Sequence, residues 1–230
     1  MVVLPGSALT RLLAPLGVLT LMTGIAAWIL LPGVPPLPAI QGAWLLPAKP
    51  LPHFKLERHN GESVTPDTLT GSWHLISYGF TYCPDICPTT LAELARFKRS
   101  LEQQARFTDL EIHFYTVDPD RDSLTQLSEY LPWFHDQFIG WRAGSEQQAE
   151  RFESALGIHS NVSRDAQGSV QVTHGLKLFV LNSEGRLQAV LEPTLTLTGR
   201  LHFEPDRLLQ DYLTLRRWVS YNGTVDQPDP

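Results

Sequence analysis

The chain has 230 residues, enough for one well-buried domain with accessory segments. A formal net charge of −6, with no Lys/Arg cluster, argues against a nucleic-acid partner or an electrostatically held position on a membrane surface. The two cysteines, Cys83 and Cys87, exclude a small secreted fold held by several disulfides.

Residues 12–31 read LLAPLGVLTLMTGIAAWILL, with no charged side chain. As a helix this run is roughly 30 Å long and spans a hydrocarbon core. Pro15 falls near one end, where a missing amide hydrogen costs least. Arg11 precedes the run and the next basic residue is Lys49, so the positive-inside rule leaves the N-terminus in the cytoplasm and exports the remainder. A cleaved signal peptide is the competing reading, but Gly24-Ile25-Ala26 matches a cleavage site only weakly. An uncleaved membrane anchor over residues 1–31 is expected.

Residues 32–52 carry Pro32, Pro35, Pro36, Pro38, Pro47, Pro50 and Pro52. Such a segment cannot form a helix or an inner strand and reads as a stiff linker off the bilayer. The globular domain is expected over residues 53–220, with a short tail at 221–230. It begins with a hairpin at 53–65 turned by Asn60-Gly61, followed by an aromatic and β-branched strand at 73–80. Apolar positions 91, 94, 97 and 101 mark a helix after the cysteines, and a second strand is expected at 110–117. A helix at 123–131 stops before Pro132, a short strand follows at 138–141, and a helix at 146–156 is closed by Gly157. The stretch 158–171 is polar and without period. A hairpin at 176–181 and 187–191 and a helix at 205–219 complete the order β-α-β-α-β-α-β-β-α, a thioredoxin-like α/β arrangement with a mixed sheet flanked by helices.

Cys83 and Cys87 lie between a buried strand and a helix, where α/β folds tend to place their sites. Pro88 suits the first helical position, which would make Cys87 the N-cap, and the positive helix end would favour a thiolate there. Two adjacent thiols form either a disulfide or a soft metal clamp. Among eight histidines, His174 stands out because it closes the irregular stretch, precedes Gly175 and enters the strand LKLFVL, a junction that faces the cysteine loop in a thioredoxin-like fold. His74 starts the motif strand, far from the site edge, and His113 has no distinguishing feature. The methionines, Met1 and Met22, lie outside the soluble domain, which argues against a thioether-ligated copper centre. A Cys₂His set remains, which suits Cu(I) and tolerates Cu(II) or Zn(II). Asp118, Asp120 and Asp122 read more readily as a loop and helix cap than as hard-cation ligands.

The segments GFTYCPDICPTTLAEL, TVDPDRD and VTHGLKLFVLNSEG together resemble the Sco/SenC family of copper-binding proteins, from about Phe54 to the last helix. The resemblance implies a thioredoxin-like fold behind one N-terminal transmembrane helix, with copper, Cu(I) or Cu(II), held by Cys83, Cys87 and His174. It implies a metallochaperone rather than an enzyme, delivering copper to the CuA centre of cytochrome c oxidase or reducing the thiols that receive it. The implied partners are the copper-site subunit of the oxidase and other copper carriers. The expected setting is a bacterial inner membrane with the domain in the periplasm, in preference to a mitochondrial inner membrane facing the intermembrane space. One departure is visible: family members commonly place Asp before the histidine and Ser after it, whereas here Thr173 and Gly175 flank it, so a carboxylate that could orient the imidazole is missing at that position.

A membrane-tethered thiol–disulfide oxidoreductase would use the same two sulfurs. It usually separates its cysteines by two residues and sets a proline opposite them; this chain has three residues between and offers His174. A peroxide reductase lacks its activating Pro and Arg surroundings, and an inert disulfide scaffold leaves His174 unexplained.

Overall fold

The computed structural model describes residues 37–164, 170–197 and 199–222. The expected anchor at 12–31 lies outside them, as does the tail beyond residue 222. Among the described residues no helix is long and apolar enough to cross a membrane.

The strands are β1 (Gly42–Lys49), β2 (Leu56–Arg58), β3 (Ser63–Val64) and β4 (Trp73–Gly79), after which helix α1 (Ile86–Glu102) begins. Strand β5 (Leu110–Thr116), helix α2 (Leu124–Tyr130), strand β6 (Ile139–Ala143) and helix α3 (Glu146–Leu156) follow. The chain ends with β7 (Ser160–Arg164), β8 (Val170–His174), β9 (Leu178–Leu181), β10 (Leu187–Leu191), β11 (Thr194–Leu195), β12 (Leu201–His202) and α4 (Pro205–Asn222).

Eight strands form one mixed sheet in the order β1-β10-β9-β4-β5-β6-β2-β3. The centre is parallel, β4 beside β5 beside β6, and β9 joins β4 antiparallel. Every residue of β4 is buried, as the run of aromatic and branched side chains requires of a strand covered on both faces. Alternation along β4 and β5 then feeds two cores. Trp73, Leu75, Leu110, Ile112 and Phe114 pack with Leu91, Leu94 and Phe97 of α1 and with Leu208 and Tyr212 of α4. Ile76, Tyr78, Tyr115 and Val117 face Phe54, Trp141 and Phe152, the last of these from α3. Helix α3 keeps its expected limits because Ser145 caps its start, accepting from the Gln148 amide, and Gly157 ends it at φ 76°.

Three expectations are corrected. Residues 42–49, part of the expected linker, form edge strand β1, paired with β10 and irregular between Trp44 and Lys49. An edge tolerates Pro47, whose missing donor breaks no inner ladder. The periodless stretch 158–171 contains strand β7 and the start of β8, which pair as a separate two-stranded ribbon. His174 is therefore the last residue of β8 rather than the entry to β9. A further small ribbon, β11 with β12, precedes α4.

Trp44 of β1 packs edge-on against Trp218 of α4, with ring centroids 5.2 Å apart. Trp44→Ala should therefore lower stability by about 1–3 kcal/mol in equilibrium urea unfolding. A change within error would return this segment to the status of a spacer.

Candidate metal centre

Three segments meet at the C-terminal edge of the sheet: the loop after β4, the first turn of α1, and the end of β8. The N-cap of α1 is Asp85, not Cys87, and its side chain makes no capping bond. It forms an ion pair with Arg200 instead. Cys87 is thus the second helical residue and Pro88 the third, still within the turn where an amide hydrogen has no helical partner. The Cys87 amide itself points at the Sγ of Cys83, 3.5 Å away.

Cys87 is buried and its Sγ lies 3.6 Å from Nε2 of half-buried His174. Room for the sulfur comes from Gly79, where an added Cβ would fall 2.5 Å from Sγ and 3.2 Å from Cε2 of Phe114. The His174 ring sits against Tyr78 and edge-on to Phe80, at centroid distances of 5.5 and 6.1 Å. Its Nδ1 is 2.7 Å from the Gly175 carbonyl oxygen. A carbonyl only accepts, so Nδ1 carries the hydrogen and Nε2 turns a lone pair toward Cys87. The orienting role of the missing carboxylate thus falls to the backbone.

Burial is the main cause that pushes the Cys87 thiol far above its usual range, helped by Cys83 beside it and opposed by the Phe80 amide. The helix N-terminus does not prevail, contrary to the expectation of a thiolate; desolvation in this apolar niche is the larger effect. Burial also lowers the pKa of His174, partly offset by the bond to Gly175. The metal-free site therefore pairs a protonated thiol with a neutral imidazole, and a bound cation would displace the thiol proton.

Fully buried Asp122 fixes the loop: one carboxylate oxygen accepts from the Thr81 amide at 2.9 Å and the Thr116 hydroxyl at 2.7 Å, the other from the Thr81 hydroxyl at 2.6 Å. Asp118 pairs with Arg121, whose guanidinium lies over the rings of Phe80 and Tyr82. These acids act as loop anchors. The position of His174 is set from the other side. The register of the β7–β8 ribbon places it opposite Ser160, whose hydroxyl donates to Glu153 of α3, and Tyr115 of β5 donates to the other oxygen of the same carboxylate.

The structure sets Cys83 beside Cys87 and His174 against Cys87, while the three ligand atoms do not all converge within 4.8 Å of one another, and it adds some residues that spacing did not reveal. Gly79 is one. Tyr130 is another: its hydroxyl is buried with no hydrogen-bond partner among the described residues. Its phenol is pushed up by burial and then by Cys87, Cys83 and Asp122 nearby. In the sequence Tyr130 is only one residue of the helix expected at 123–131.

Two sulfurs and one unprotonated imidazole nitrogen fit a soft or borderline ion. The 3.6 Å between Sγ and Nε2 suits two ligands of one ion with bonds of about 2.3 and 2.0 Å. Residues 46–199 match the SCO1/SenC family model. A Stutzerimonas stutzeri protein named for copper binding is 35% identical over 156 residues, 67% of this chain and 76% of that protein. The mitochondrial SCO2 homolog of Mus musculus is 32% identical over 132 residues, 57% of this chain and 52% of the relative, so the chain spans about half of that protein. Among solved structures, Arabidopsis thaliana ScoI with copper bound superposes with a TM-score of 0.64 at 26% identity, covering 74% of this chain and 99% of that one.

The difference between a half-exposed Cys83 and a buried, protonated Cys87 predicts selective chemistry. With limiting iodoacetamide, the reduced metal-free protein should be alkylated at Cys83 about tenfold faster or more, read by peptide mass spectrometry. Equal labelling would contradict the protonated, buried Cys87.

Proposed function

The chain belongs to the SCO1/SenC family, and from that premise we propose that it binds one copper ion through Cys83, Cys87 and His174. In this reading it is a copper-binding chaperone that delivers the ion to the CuA centre, or prepares the thiols that receive it, during cytochrome c oxidase assembly. The observation that carries it is the approach of a lone-pair-bearing Nε2 to the Cys87 sulfur at 3.6 Å. Disulfide exchange needs a thiolate and a partner disulfide, and it requires no distal imidazole. An imidazole completes a copper site. Burial pushes the Cys87 thiol up, which makes it the poorer attacking group of the pair. Half-exposed Cys83 is the sulfur that a recipient thiol or an incoming carrier reaches first.

The membrane-anchored, periplasm-facing placement rests on the uncharged run 12–31 and the charge asymmetry around it. It supplies the tether that keeps the domain beside a membrane-bound oxidase, whose copper-site subunit is the proposed recipient.

The reduced protein should bind about one copper per chain, and Cys83→Ser or Cys87→Ser should remove most of that binding in equilibrium dialysis with metal analysis. His174→Ala should weaken Cu(II) more than Cu(I), since two thiolates alone still hold linear Cu(I). Its cysteine pair should still form and break a disulfide, while oxidase assembly in cells falls to the level of the double-cysteine variant. Normal assembly with His174→Ala, when both cysteines remain essential, would replace this reading with thiol reduction. For the topology, protease added to spheroplasts should digest the domain and protease added to inverted vesicles should spare it; the reverse pattern would refute the exported placement.

A further inference from the structure

The parallel pairing of β4 with β5 sets His74 directly beside Glu111. His113, two residues on, projects from the same face of β5. Both histidines are buried, His74 at 1% and His113 at 0% exposure, while the Glu111 side chain is 35% exposed. Nδ1 of His74 lies 2.9 Å from Nε2 of His113, and Oε2 of Glu111 lies 3.8 and 3.6 Å from these two nitrogens. Among the described residues this is the one group of three such side chains whose ligand atoms all converge within 4.8 Å. It sits at the start of β4, roughly 15–17 Å along the strand from the cysteine loop at about 3.3 Å per residue.

The hydrogen-bond pattern defines the tautomers. Nε2 of His74 lies 3.1 Å from the Leu69 carbonyl oxygen and must donate to it, so Nδ1 of His74 presents a lone pair. The hydrogen between the two rings is then on Nε2 of His113, and Nδ1 of His113 is buried without a partner among the described residues. Moving that hydrogen to Nδ1 frees both facing lone pairs with no net release of a proton. The Leu69 carbonyl holds the His74 ring from behind, the arrangement usual for a metal-ligating imidazole. Stacking on Trp141 at 4.0 Å fixes the His113 ring. Arg58 now neutralises Glu111 at 3.2 Å and also reaches Glu62 at 3.7 Å, so a cation that claimed Glu111 would leave Arg58 a partner.

We propose that His74, Glu111 and His113 form a second metal site, separate from the cysteine site, that takes a borderline divalent cation of the Zn²⁺ class. Two imidazoles and one carboxylate are a donor set for such ions, and a nitrogen-to-nitrogen distance of 2.9 Å allows two bonds of about 2.0–2.1 Å to one ion. The carboxylate moves a few tenths of an ångström inward to complete the set. Half-exposed Glu111 is the entry, and the imidazoles form the buried floor. The two neutral rings carry no charge that would repel the cation, since burial lowers the pKa of both His74 and His113. Occupancy would cross-link β4 to β5 at the end of the sheet away from copper.

The test uses the full chain carrying Cys83→Ser, Cys87→Ser and His174→Ala, so that the cysteine site contributes nothing and the result is independent of the copper reading. Titration calorimetry with Zn²⁺ should show one saturable site of micromolar affinity or tighter, and the thermal midpoint should rise with Zn²⁺. Adding Glu111→Gln should weaken binding about tenfold or more, and His74→Gln should abolish it. Glu111 is half-exposed, so its variant decides the matter alone if His74→Gln does not fold. No saturable Zn²⁺ binding, or the same affinity with Glu111→Gln, overturns the proposal.

Discussion

The buried carboxylate of Asp122 is the contact on which the cysteine end of the fold depends. Its three hydrogen bonds join the loop after β4, through Thr81, to the last residue of β5, Thr116. Taking a carboxylate out of water costs several kcal/mol unless its oxygens are satisfied, and here both oxygens are. The cysteine loop therefore has one low-energy path between β4 and α1. Gly79 completes the constraint by letting the sulfur of Cys87 drop onto the strand end, where any Cβ would collide with it. Once the loop is held, the first turn of α1 aims its spare amide at Cys83 and buries Cys87 beside the imidazole.

That burial governs the chemistry. In the metal-free niche burial raises the Cys87 thiol and lowers the His174 imidazole, and the Tyr130 hydroxyl has no hydrogen-bond partner among the described residues. A soft cation changes the balance: its charge replaces the Cys87 proton, and the thiolate it creates is stabilised by the ion rather than by water. The ribbon of β7 and β8 matters because it brings His174 to the cysteines from outside the main sheet. Glu153, bonded to both Tyr115 and Ser160, makes the ribbon part of the same framework. The same sheet places His74, Glu111 and His113 together at the other end of β4 and β5.

Much of this was legible in the sequence, and for identifiable reasons. Strand β4 is covered on both faces and reads as a continuous apolar run. Helix α3 has Gly157 as its stop signal, and it holds, while the structure adds Ser145 as the cap of its start. Cys83, Cys87 and His174 stood out through local features: a strand–loop–helix setting and a glycine after the histidine. Strand β1 was hidden because Pro47 and the prolines around the strand argue against a strand interior and say nothing against an edge. The β7–β8 ribbon was hidden because β8 alternates between half-buried and exposed residues and offers no strong apolar face. Cys87 was misplaced by two helix positions, and its ionisation was misjudged because a helix end can be read from sequence while burial beneath the strand end cannot. His74 and His113 could not be paired at all, since only the parallel register of β4 and β5 brings together residues 39 apart.

The central claim is that copper sits on the two sulfurs and the imidazole nitrogen together. Copper K-edge X-ray absorption of the Cu(I)-loaded protein measures those scatterers directly. The account predicts two sulfurs and one nitrogen, with the nitrogen lost in His174→Ala. A first shell without sulfur, or a sulfur-only shell that His174→Ala leaves unchanged, would contradict it.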